Sequence, residues 1–205
     1  MNNKFLVNFM ISALASLGFA QGLQAGENFH FRGKTVDASF TTTSGGGCIV
    51  TSVYVFATEG RLQSPPGPGN PQTYAYVGVT RVNVCTSTPL LSAYGSTTLT
   101  DQQLQFSGRL ESAALNMVVP AFDSVLMTPV NVSVNLTWTG TGPLNHGNSH
   151  SHFQGLGFII NSRSSGFFRP AVASGNVSDG ITNFTTEPSI NATIAQTQNG
   201  YVFID

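Results

Sequence analysis

From Val132 to Trp138 every second residue is apolar (Val132, Val134, Leu136, Trp138), while Asn131, Ser133, Asn135, Thr137 and Thr139 fill the positions between and around them. Side chains alternate between faces along a strand, so this stretch has one dry face and one wet face. The dry face must be covered by a second layer, which predicts a central strand in an antiparallel fold.

The rest of the chain carries the same kind of signal. Residues 48–57 are apolar on both alternating faces, as suits a strand buried between layers. Strand-like runs follow at 74–85, 104–110, 113–122, 153–160, 167–173, 177–184 and 190–194, and the chain closes at 201–204. In residues 74–85 the apolar parity changes near Gly78, which predicts a β-bulge there. Turn signals separate the runs: Gly45-Gly46-Gly47, the Ser164-Ser165-Gly166 turn, Asp179-Gly180 and Asn199-Gly200. The loop at 60–73 carries Pro65, Pro66, Pro68 and Pro71 and belongs on the surface. No mature window holds an apolar 3.6-residue period over three turns. The expected fold is all-β, an antiparallel β-sandwich (Ig-like or jelly-roll-like) of about nine to eleven strands with one disulfide.

Charged residues make up 8% of the chain, against about 25% in an ordinary globular protein. Ser, Thr, Asn and Gln must therefore supply its wet surface. A net charge of −1 gives no electrostatic reason for a nucleic-acid partner or an anionic membrane. Lys4 followed by the apolar run 5–19, with Ala20 and Ala25 as candidate cleavage residues, predicts a removed signal peptide over residues 1–25. The run is shorter than the roughly 20 residues a membrane-spanning helix needs, and no later segment could span. Residues 26–205 are expected to form a single domain, secreted or periplasmic.

An isolated cysteine pair in an exported chain predicts a disulfide, Cys48–Cys85. That pair resembles the two bridged cysteines placed early in bacterial fimbrial subunits. The resemblance covers only these two residues, and the end of the chain, Tyr201 to Asp205, lacks the penultimate tyrosine of such subunits.

Candidate chemistry is sparse. His146, His150 and His152, in an expected loop from Gly140 to His152, form the one constellation suited to a metal, and neutral imidazoles there would take Zn²⁺ or Cu²⁺. The competing reading is a solvated polar segment. Arg163 and Arg169 flank the expected turn at 164–166 beside Phe167 and Phe168, a possible ligand patch of guanidinium and aromatic rings. Tyr74, Tyr76 and Tyr94 are of the type that stacks on sugar rings. Five N-x-[ST] acceptors, at Asn131, Asn135, Asn176, Asn183 and Asn191, read as outward polar positions in so Ser/Thr-rich a chain. Nucleophile-elbow, zinc-protease and phosphate-loop motifs do not occur. The expectation is a non-enzymatic surface, matrix or envelope module that meets a surface polymer, a glycan or another extracellular protein. A carbohydrate-binding module is the first alternative, and a zinc or copper protein using the histidines is the second.

Overall fold

The structure, a computed structural model, describes residues 28–63, 70–71, 73–155 and 158–204, and side chains within 30–63, 71, 73–150 and 163–198. The expected signal segment, residues 1–25, lies outside the described residues. The described chain is all strand and turn, with eleven strands in antiparallel pairings. They are β1 (Asn28–Ser44), β2 (Ile49–Gln63), β3 (Asn70–Pro71), β4 (Tyr74–Asn83), β5 (Thr88–Thr98), β6 (Leu104–Ser107), β7 (Ser112–Asp123), β8 (Thr128–Gly140), β9 (Asn145–Gly155), β10 (Phe158–Ser178) and β11 (Ser189–Ile204).

The expected all-β, antiparallel, single-disulfide class is observed. The layers are walls of one sheet that returns on itself, because β1 pairs with both β11 and β2. The ring runs β1-β2-β4-β5-β7-β8-β10-β11, with β3, β6 and β9 attached to β2, β7 and β10. Its order is an up-and-down meander, without the crossed-over connections of Ig or jelly-roll layers. Turns at 45–48, 84–87 and 124–127 are too short to let the chain pass over a neighbouring strand. Closure also removes the open edges that a flat sheet would expose.

The alternation read in β8 holds as written. Val132, Val134, Leu136 and Trp138 are buried, and Asn131, Ser133, Asn135, Thr137 and Thr139 are exposed. In register they meet the inward residues of β7, with Val119 opposite Val132, Met117 opposite Val134, Leu115 opposite Leu136 and Ala113 opposite Trp138. Val36, Ala38, Val53, Val55, Val77 and Val79 complete the interior from the other wall. Small residues, such as Ala57, Ala75, Ala93, Ala171 and Ala173, leave room for Trp138, which is fully buried. Its indole Nε1 donates to the Asp37 carbonyl at 2.8 Å, so the polar atom of the largest core residue is satisfied. A barrel that crosses a bilayer has the reverse polarity, apolar outside and polar within. No helix among the described residues is long and apolar enough to cross a membrane.

Cys48 and Cys85 are bonded, with Cα atoms 5.2 Å apart. The bridge ties the β1–β2 turn to the β4–β5 turn at one end of the ring. At the opposite end β9, the first half of β10, the last part of β11, the start of β1 and the end of β2 continue past the ring as an extension.

Several expected turns are strand. Ser164-Ser165-Gly166 lies inside β10, paired with β9 on one side and β11 on the other. Gly166 is needed there for close approach: a Cβ would collide with the Gln196 carbonyl of β11. Asn199-Gly200 is likewise inside β11, held by β1 and β10. Two flanking ladders override the local turn preference in both places. Asp179-Gly180 does turn the chain: the Asp179 carboxylate accepts from the Ile181 and Thr182 amides, and Gly180 has φ 88°. Strand β10 consequently stops at Ser178, short of the expected run to 184. The register irregularity of β4 falls at Arg81/Val82 against β5, not at Gly78.

Candidate functional site

The histidine segment, expected as a loop, is a strand, β9, because the long β10 offers it a backbone ladder from Asn145 to Gly155. Its backbone places positions 146, 150 and 152 on one face, as period-two geometry requires. The exposed His146 ring meets Phe167 edge-on at 5.2 Å. His150 is exposed and stands opposite Arg163, a guanidinium that disfavours a cation at that spot. His152 pairs with Asn161, and its side chain lies outside the described ones. Among the described residues no group of three His, Cys, Asp or Glu side chains is gathered for a metal.

The two arginines do not meet across a turn. Arg163 and Arg169 sit on one face of β10, about 20 Å apart along the strand. Arg163 is exposed, whereas the Arg169 side chain crosses Gly140 at the end of β8, where a Cβ would collide with it. Arg169 is thereby committed to packing the junction where β8 gives way to the histidine strand.

The outer wall of β2, β4, β5 and β7 brings together residues from four strands. On β8 every outward position from Asn131 to Thr139 is polar. On the aromatic wall the outward positions include Tyr54 and Phe56 on β2, Tyr74 and Tyr76 on β4, Tyr94 on β5, and Val118 and Phe122 on β7. Tyr54 and Tyr76 have ring centroids 6.3 Å apart, and Phe56 and Tyr74 6.0 Å. Tyr94 and Phe122 are register partners on adjacent strands and are 45% and 47% exposed. Beyond Phe122 the β7–β8 turn projects Leu126 and Met127, and Met127 holds a positive φ of 54°.

Gly78 organises the middle of this wall. It is the register partner of Tyr94, whose ring leans across it. Two ring carbons lie 3.0 and 3.1 Å from where a Gly78 Cβ would sit, and the Tyr76 hydroxyl is 3.3 Å from the same point. The residue read from parity as a bulge is thus the seat of an aromatic ring.

Burial dominates the electrostatics at the β1 side of the wall. The Asp37 carboxyl is pushed up to about 7 by burial. The Tyr54 hydroxyl is raised well above the usual range, first by burial and then by Asp37. Burial also raises Tyr76, with Tyr94 contributing.

Tyr74, Tyr76 and Tyr94 are legible in the sequence as stacking candidates; Phe122, Val118 and Gly78 are not. The available signal was that β7 carries apolar residues on both parities, with Ala114, Val118, Pro120 and Phe122 on the outward set. Comparison with family models, curated proteins and solved structures finds no match for the chain.

Proposed function

We propose that the protein is an exported, non-enzymatic interaction module of the cell surface or envelope, and that it makes contact through the outer wall of β4, β5 and β7. The observation that carries this reading is the clustering of exposed apolar side chains. Of the twelve large hydrophobics exposed among the described residues, seven fall between residues 84 and 127: Val84, Leu90, Tyr94, Val118, Phe122, Leu126 and Met127. Scattered exposed apolar residues are ordinary, but Tyr94 and Phe122 are register partners on one outer face and Val118 follows on the same face of β7, and apolar side chains gathered in this way favour a contact surface. Aromatic anchors of this kind supply much of the energy at such surfaces. The disulfide and the expected signal segment support export, and the dense interior supports a rigid carrier for the wall.

The test is retention on envelopes of the producing cells. Purified mature protein, labelled and mixed with washed envelopes, should sediment with them. Val118→Ser and Phe122→Ser should each reduce retention about tenfold while leaving circular dichroism unchanged. Equal retention of these variants, or none for the unaltered protein, would contradict the reading.

A further inference from the structure

We infer that the aromatic wall binds a neutral carbohydrate, with the Tyr94 ring as the stacking platform; this rests on the contact surface proposed above and names its ligand class. A sugar ring presents an apolar face of C–H groups and an equatorial rim of hydroxyls. A complementary protein surface needs an accessible aromatic ring bordered by uncharged hydrogen-bonding groups.

The register supplies both. Tyr94 leans onto β4 over Gly78, which keeps one side of the ring against the sheet, and the residue as a whole is 45% exposed. On the same outward face the neighbouring register pairs are Thr80 opposite Ser92 and Tyr76 opposite Ser96. The platform is therefore bordered by hydroxyls on β4 and β5, with Phe122 beside it on β7 as a second ring.

Charge decides the class. The charged residues nearest in register, Arg81 and Asp123, fall on inward positions, paired with Leu91 and Ala93 respectively. Asp123 is buried and accepts the Ser92 and Val125 amides. With hydroxyls and no charge on the outward positions of β4, β5 and β7, and with Asp37 farther off on β1 opposite Phe56, the platform matches an uncharged glycan and gives an acidic polysaccharide no cationic partner.

The experiment is calorimetry of the mature, disulfide-intact protein with maltohexaose, cellohexaose and chitohexaose, using polygalacturonate as the anionic comparison. At least one neutral hexasaccharide should bind, and polygalacturonate should not. Tyr94→Ala should weaken binding roughly tenfold, whereas Tyr94→Phe, which keeps the ring, should stay within about threefold. Gly78→Val should also weaken binding, because its side chain displaces the Tyr94 ring while the strand backbone is kept; thermal melts establish that each variant is folded. Absence of binding to all three neutral sugars, binding indifferent to Tyr94→Ala, or a preference for polygalacturonate would overturn the inference. So would a concentration-dependent dimer, seen by sedimentation and lost in Tyr94→Ala, which would assign the wall to a second copy of the chain. If the sugars fail but Phe122→Ser still releases the protein from envelopes, the glycan falls and the contact surface stands; if both fail, both readings fall.

Discussion

The wall built on β8 and the wall built on β4, β5 and β7 follow the same rule inside the barrel and opposite rules outside. Both send aliphatic residues inward at every second position, and Leu115 and Leu136 meet in the interior as direct register partners. Outside, β8 presents Asn131, Ser133, Asn135, Thr137 and Thr139, and Asn135 lies between Asn116 of β7 and Asn176 of β10 in an asparagine ladder. On β2, β4, β5 and the end of β7 the outward positions hold Tyr54, Tyr76, Tyr94 and Phe122. Interior packing imposes no such difference, so the contrast sets the wall proposed as a contact surface apart from the polar one. All five N-x-[ST] asparagines are exposed, and four of them lie on β8, β10 and β11, away from the aromatic rings.

The contrast can be broken most severely from within. Trp138→Ala should cost about 3–5 kcal/mol, since it empties the largest buried volume and removes the indole hydrogen bond to the Asp37 carbonyl. Denaturant unfolding checks this, and an unchanged midpoint would mean that the ring is not part of the core both walls share. Removing the disulfide by Cys48→Ser with Cys85→Ser should cost on the order of 3–4 kcal/mol for a separation of 37 residues. The loss should loosen the β2–β4 side first, which hydrogen exchange would report as faster opening there than in β8.

Asp37 sharpens the comparison through pH. Its folded-state carboxyl titrates near 7 against 3.8 for the free group, so the native state holds the proton more tightly than the unfolded chain. The stabilising effect of the protonated form is fully present below about pH 4 and is lost as pH rises through 7, an effect of order 2–4 kcal/mol. Asp37→Asn should flatten that slope and raise stability at pH 8, measured by chemical denaturation across pH. A slope unchanged in the variant would assign the pH dependence to another group. The smallest expected effects are on the two outer faces: Asn135→Ser and Phe122→Ser should each alter stability by no more than about 0.5 kcal/mol. Only Phe122→Ser should alter envelope retention.

How much of this was legible depended on the range of the interaction. The β8 pattern is local and periodic, and the structure reproduces it residue by residue. The cysteine pair was legible from the expectation of an exported chain, and the bond is observed. Ring closure was not legible, because β1 meets β11 across most of the chain length and no local pattern encodes that pairing. Residues 164–166 look like a turn, and only the presence of β9 and β11 on both sides makes them strand. The same register problem separated Tyr94 from Phe122, which pair across β5 and β7, with β6 and two turns between them in sequence.

The direct test of the contrast is site-specific photo-crosslinking on envelopes of the producing cells, with the crosslinking residue placed at Val118 on the aromatic wall or at Ser174 on the polar wall. Both positions are exposed on strands of the same barrel. The structure predicts a crosslinked high-mass product from position 118 and little or none from position 174. Equal yields from the two positions, or a product from 174 alone, would contradict the assignment of contact to β4, β5 and β7.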